Sequence, residues 1–169
     1  KITFLAKEET ICPVCQAKFF RETLLTGGGR LNADKVTDTL HRTFKPSQKF
    51  GKIYPLIYTV VVCPDCFFTS FPPDFENLPT DKAEELLKLK SERIEFANSL
   101  IGEPVDFSKY RTLETGAAAY VLSTICYDFF PKKFVPVIKQ AISSIRAAYL
   151  FEELDIERKG ENFDKLSII

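Results

Sequence analysis

Methionine and tryptophan are absent from this chain, and histidine occurs once, at His41. With one imidazole and no Ser-His or His-carboxylate constellation in the sequence, no enzymatic activity is expected. An excess of either charge is missing too: Lys plus Arg and Asp plus Glu both number 23. A zero balance gives no overall pull toward nucleic acid or an anionic membrane. No apolar run approaches the roughly 20 residues that span a bilayer. The start, Lys1 to Lys7, is too short and too soon followed by charge to be a signal peptide. The missing initiator Met places Lys1 inside the reading frame, and a leader ahead of it is left open. Five cysteines, four of them in two close pairs, suit a reducing compartment better than a disulfide scaffold, so a cytoplasmic protein is expected.

Those pairs are the strongest signal present. Cys12-Pro13-Val14-Cys15 and Cys63-Pro64-Asp65-Cys66 are two hooks separated by 47 residues. Each offers two thiolates from one tight turn, and two hooks meeting in space complete a tetrahedron. Cys12, Cys15, Cys63 and Cys66 are therefore expected to hold a structural Zn2+, with iron as the other thiolate-loving metal. A thiol redox couple is the alternative, but such a motif opens a helix, and Pro72-Pro73 forbids a long helix after the second hook. Zinc knuckles usually carry Gly after the second Cys. Here Gln16 and Phe67 stand there, and a slightly wider turn is expected. Cys126 reads as a small buried hydrophobe. His41 reads as a surface or loop-packing residue, with a reserve role as a ligand.

Along the chain, Ile2 to Leu5 predicts a short strand. Lys18 to Leu25 fits strand or helix. Gly27-Gly28-Gly29-Arg30 lacks the Gly-Lys-Ser/Thr of a phosphate loop and predicts a turn. Val36, Leu40 and Phe44, four apart, predict a short helix between Asn32 and Phe44. Leu56 to Val62 is aromatic and β-branched on both faces and predicts a buried strand that delivers Cys63 into its hook. Asp81 and Glu84 resemble a capping box, with Thr80 as the other candidate cap. One helix is expected from there to Gly102, with Ala83, Leu87, Ile94, Ala97 and Ile101 on its buried face. A second helix, Thr112 to Phe130, is apolar nearly all round and predicts the central helix. Its small stretch Gly116 to Ala119 permits close approach of a neighbour. A third begins near Val135 with Pro136 in its first turn, and Ile138, Ala141, Ile142, Ile145, Ala148 and Tyr149 mark its apolar face. Asn162 to Ile169 reads as the start of a fourth helix, whose Phe163, Leu166, Ile168 and Ile169 lack cover.

The expected fold is α+β: a β-rich zinc-ribbon-like unit over residues 1–79, packed on a helical hairpin array over 80–169 that is tetratricopeptide-like in spacing. Tyr54 to Phe67 with Asp74-Phe75, Tyr127 to Phe134, and Ala147-Ala148-Tyr149-Leu150 resemble the bacterial family domain of unknown function 2225. Phe67 departs from the family pattern, which has Gly there. The resemblance implies a zinc-ribbon-like part joined to tetratricopeptide-like helices, with no assigned activity. The resulting reading is a non-enzymatic, metal-stapled scaffold or adaptor that binds a protein partner, with a homo-oligomer as a further arrangement. The alternative, a nucleic-acid-binding zinc ribbon, would use Arg30, Lys35, Arg42, Lys45, Lys49 and Lys52 with Phe44 and Phe50. Zero net charge and the acidic helix from Asp81 onward argue against it.

Overall fold

The computed structural model describes residues 1–168. The N-terminal half holds antiparallel strand pairs and the C-terminal half is helical, so the fold is α+β. β1 (Thr3–Ile11) pairs with β2 (Lys18–Leu24), β3 (Asn32–Val36) with β4 (Arg42–Lys45), and β5 (Val61–Val62) with β6 (Thr69–Ser70). β1 is longer than expected and bulges between Leu5 and Glu9. It buries only Thr3 and Thr10, one near each end of the strand.

Three local expectations from the first half are overturned. Asn32 to Phe44 is no helix. Thr37 reverses the chain by accepting the His41 N–H on its Oγ1 at 3.0 Å and the Leu40 N–H on its carbonyl at 2.9 Å. Leu40 takes a left-handed φ of 63° and is 82% exposed, so its spacing with Val36 and Phe44 was no helix face. Leu56 to Val62 is not one strand. Pro55–Tyr58 form a 3-10 turn, and only Val61–Val62 extend. The expected burial is found at Ile57, Val60, Val61 and Val62, while Leu56, Tyr58 and Thr59 are half-buried. What overrides the β propensity is helix α4 (Leu113–Tyr127) beneath. The Tyr120 hydroxyl donates to the Leu56 carbonyl at 3.0 Å, and Ile57 sits on Gly116.

The helix expected over 81–101 is two: α2 (Thr80–Lys88) and α3 (Lys90–Ile101), broken at Leu89. Arg93 explains the break. Its guanidinium takes the Leu86 carbonyl at 2.5 Å, in competition with continued helical bonding. Pro79 occupies the cap position of α2 with no side-chain cap, so neither Asp81 nor Thr80 serves. Leu86 is buried where Leu87 was expected, and Leu87 is exposed. Gly102 ends α3 in the left-handed conformation, as expected.

α4 is the central helix. Ala117 to Tyr120 have no exposed surface, and the helix opens on a reciprocal cap between Thr112 and Thr115. It ends at Tyr127, ahead of Pro131. Pro136 stands in the first turn of α5 (Pro136–Glu157), as expected. α5 returns antiparallel to α4: Gln140 reaches Asp128 at 2.7 Å, Ser143 meets Ser123 at 3.0 Å, and Arg158 meets Glu114 at 3.2 Å. The face of α5 differs from expectation. Ser143, Ala147, Leu150, Phe151 and Leu154 are buried, while Ile138, Ala141, Ile142 and Ile145 lie outside. The Ser123–Ser143 bond shows why: the buried seam carries a matched polar pair that periodicity cannot see.

The last segment is a 3-10 helix, Phe163–Ile168. Phe163 is not uncovered. It is buried against Phe151, with ring centroids 6.3 Å apart, and Leu166 is half-buried. The Ile168 side chain and Ile169 lie outside the described residues.

Two apolar clusters make the core. One packs α4 against α5, α3 and the 3-10 turn. The other gathers Cys12, Cys63 and Cys66 with Phe68, Phe75 and Leu86. Asp74-Phe75, in the short helix α1 (Pro72–Phe75), ties the second cluster to the hairpin of α4 and α5. Asp74 accepts from the Tyr127 hydroxyl at 2.6 Å and from the Lys139 ammonium, while Phe75 contacts the Phe19 and Phe68 rings. Among the described residues no helix is long and apolar enough to cross a membrane.

Candidate metal centre

Each hook sits at the tip of a β-hairpin, the first between β1 and β2, the second between β5 and β6. The two turns have the same hydrogen bonds. Cys12 N–H donates to the Ala17 carbonyl at 2.9 Å and Gln16 N–H to the Cys12 carbonyl at 3.0 Å. Cys63 N–H donates to the Phe68 carbonyl at 2.9 Å and Phe67 N–H to the Cys63 carbonyl at 3.0 Å. Both turns close through a left-handed residue, Gln16 at φ 63° and Phe67 at φ 58°. The wider turn expected from the missing glycines is therefore not found. The glycine conformation is kept by side chains that fit it poorly, at a cost of about 1–2 kcal/mol each.

This predicts opposite outcomes at matching positions. Gln16 is exposed, so Gln16→Gly relieves strain and is expected to stabilise the protein by about 0.5–1 kcal/mol. Phe67 is buried and meets Phe107 edge-on at 4.7 Å between centroids, so Phe67→Gly is expected to cost about 3 kcal/mol. Thermal denaturation of the two variants at equal metal loading checks the signs. A destabilised Gln16→Gly contradicts the strain argument.

The hooks bring the four thiols together. Cys12 Sγ lies 3.6 Å from Cys66 Sγ and Cys15 Sγ 3.5 Å from Cys63 Sγ. The four sulfurs lie within 4.8 Å of one another, and none is in a disulfide. Sulfurs placed tetrahedrally about 2.3 Å from one ion would stand about 3.8 Å apart, so these residues could hold a metal ion. These two pairs join one hook to the other, and neither hook opens a helix.

The four thiols also act on one another's protonation. Hydrogen bonds from the Cys12 and Cys66 thiols pull Cys63 down from the ordinary thiol range. Cys12 is pushed up to about 12, first by its interaction with Cys63, and Cys66 is pushed up, first by Cys12. Burial pushes Cys15 up. Without a cation, one thiolate suppresses the others. A dication at the centre would reverse that balance and deprotonate all four.

Arg93 was missed by sequence reasoning. It is 2% exposed, and its Nε and Nη2 donate to the Cys66 carbonyl at 3.2 and 3.0 Å. It holds the second hook by its backbone, and nothing in its helical spacing signalled this. Cys126 is buried as expected. Burial pushes its thiol up to about 11, and it accepts the Thr69 N–H at 3.4 Å. His41 stacks on Tyr149 at 4.3 Å, and burial lowers its pKa. It is not part of the four-thiol group. The basic residues of the nucleic-acid reading are divided. Arg30 and Lys49 flank the Phe50 ring, while Lys45 pairs with Asp34 at 3.6 Å and Lys52 with Glu153 at 2.6 Å.

Fold and site together define a class: a small α+β protein in which two hairpin-borne cysteine hooks converge as one four-thiol group. The chain belongs to the family described as uncharacterized protein conserved in bacteria (DUF2225), whose model matches residues 5–167. It is similar to an uncharacterized protein of Borreliella burgdorferi, with 41% identity over 169 residues. That match covers 100% of this chain and 60% of the relative, so the chain spans about three-fifths of the relative's length. No solved structure matches.

Proposed function

We propose that this protein is a non-enzymatic scaffold or adaptor, stapled by a structural zinc ion on Cys12, Cys15, Cys63 and Cys66, that binds a protein partner. Zinc is favoured because four thiolates in a closed tetrahedron suit it and leave no open coordination position for a substrate. A cytoplasmic setting is part of this reading, since reduced thiols are needed to hold the ion. Residues 1–79 carry the staple, and residues 80–169 carry the docking surface on a tetratricopeptide-like hairpin.

The observation that carries the binding role is the outer face of α5. Val137 is 74% exposed, Ile138 57% and Ile145 52%, with Ile142 beside them. Ile138, Ile142 and Ile145 are spaced at four and three, the spacing by which one helix lies along another. A contiguous apolar stripe of this kind on a helix is characteristic of a protein contact surface.

The test places a photoreactive benzoylphenylalanine at Ile145 of the full-length protein in its native cell. A discrete cross-linked species, to one partner or to a second copy, is expected. It should be lost with Ile142→Glu while the melting temperature stays near that of the wild type. Cross-linking no greater than from the same group at exposed Lys159 would end the scaffold reading.

A further inference from the structure

We propose that the cleft between β2, the residues after the 3-10 turn and the segment Phe107 to Arg111 binds a small molecule with an anionic head and an apolar body, the carboxylate or phosphate seated on Arg111. This goes beyond the scaffold reading and does not depend on the metal centre.

The cleft has a volume of about 570 Å³, in the range of small-molecule sites. Its walls include Phe20, Tyr58, Val60, Phe107 and Tyr110. Phe20 and Tyr110 are 49% and 64% exposed, large aromatic surfaces left in water at one concavity. Arg111 lines the same space. It is half-buried as a residue, yet its Nη1 is sealed from solvent and has no hydrogen-bond partner among the described residues. Among those residues no carboxylate comes within ion-pair distance of it. Glu22, the nearest candidate, spends its Oε2 on the Arg111 backbone N–H at 2.7 Å. That bond fixes the backbone of residue 111; the guanidinium lies over the Phe107 ring, 5.2 Å away, with Glu22, Tyr58 and Tyr120 near enough to favour its charge but none hydrogen-bonded to it.

A buried hydrogen-bond donor without an acceptor is costly, and buried polar groups are nearly always satisfied. Burial lowers the Arg111 pKa to about 10, so the group is still charged at neutral pH. The missing partner has a defined chemistry. A guanidinium presents its donors in a planar fork that matches a carboxylate or a phosphate. The other charged residues lining the cleft are Arg21, Lys109 and Glu22; Lys109 pairs with Asp106 at 3.2 Å, which leaves Arg111 and Arg21 against Glu22. That balance favours an anion, and the aromatic walls favour an apolar body on it.

The full chain is titrated by calorimetry with phenyl phosphate, benzoate, inorganic phosphate and, as a cation of similar shape, benzylamine. Phenyl phosphate or benzoate is expected to bind with a Kd of about 1 mM or tighter, inorganic phosphate more weakly, and benzylamine not at all. The stronger of the two aromatic anions tells phosphate from carboxylate. Arg111→Met should weaken that binding at least tenfold and raise the melting temperature, because it removes a buried donor that has no acceptor. Arg111→Lys, which keeps the charge but loses the fork, should fall between. In the wild type, the Arg111 Nε–H resonance should shift on saturation with the anion, a readout that needs no variant. No binding by either aromatic anion, equal binding by Arg111→Met, an unmoved Nε–H signal, or a lowered melting temperature in Arg111→Met would each overturn the proposal.

Discussion

Replacing Cys63 by serine is expected to unfold the cysteine-centred part of the protein while leaving the hairpin of α4 and α5 folded. The structural zinc proposed for these thiols would contribute on the order of 10 kcal/mol, as such ions do in small domains. Cys63, Cys12 and Cys66 have no exposed surface and sit in one cluster with Phe68, Phe75 and Leu86. A serine at Cys63 leaves three thiols around an incomplete site. The β1–β2 hairpin, which buries only Thr3 and Thr10 outside its hook, then loses the attachment that the hook provides. Hydrogen exchange should show protection lost over Thr3–Leu24 and Val61–Ser70 and kept over α4 and α5. Chelation of the metal should reproduce the pattern. So should acid, since protons compete with the metal for thiolates: the site should empty as pH falls and refill as it rises. Cys126→Ser is the internal comparison. It places a hydroxyl at a buried thiol outside the group, for a cost of about 1–2 kcal/mol. Equal thermal shifts for the two variants would contradict the division between ligand and core cysteine.

Gly116→Ala should lower stability by about 3 kcal/mol, against the usual direction for glycine inside a helix. Ordinarily the change gains about 1 kcal/mol, because alanine is the better helix former. Here a Cβ at residue 116 would lie 2.4 Å from Ile57 Cγ2, 2.5 Å from its Cβ and 3.1 Å from its Cα. These atoms cannot swing aside. They belong to the 3-10 turn, which the Tyr120 hydroxyl pins through the Leu56 carbonyl. α4 or the turn must therefore move, and the clash outweighs the propensity. Truncation by Ile57→Ala removes Cγ2 but leaves the Cβ, so in that background the penalty should shrink without vanishing. Chemical denaturation of the four proteins of this cycle measures it. A Gly116→Ala protein as stable as the wild type would mean that α4 and the turn are not in close contact.

The sequence by itself determined the four cysteines as a group, the burial of Cys126, the central position of α4 and the stop at Gly102. These are local properties: ligand spacing, an all-round apolar helix and a glycine at a left-handed cap are written in neighbouring residues. The closeness allowed by Gly116 to Ala119 was also legible, though not what would fill it. Tertiary structure alone decided the rest. It bent Leu56 to Tyr58 into a 3-10 turn because α4 offered a glycine and a tyrosine hydroxyl in place of a strand partner. It broke the helix at Leu89 because Arg93 serves two carbonyls, one of them on a hook 27 residues away. It turned α5 so that Ser143 faces Ser123 and four apolar positions face solvent, a choice between two apolar stripes that periodicity on one helix cannot make. In each case the deciding partner is distant in sequence, and its contribution exceeds the few tenths of a kcal/mol by which local propensities differ.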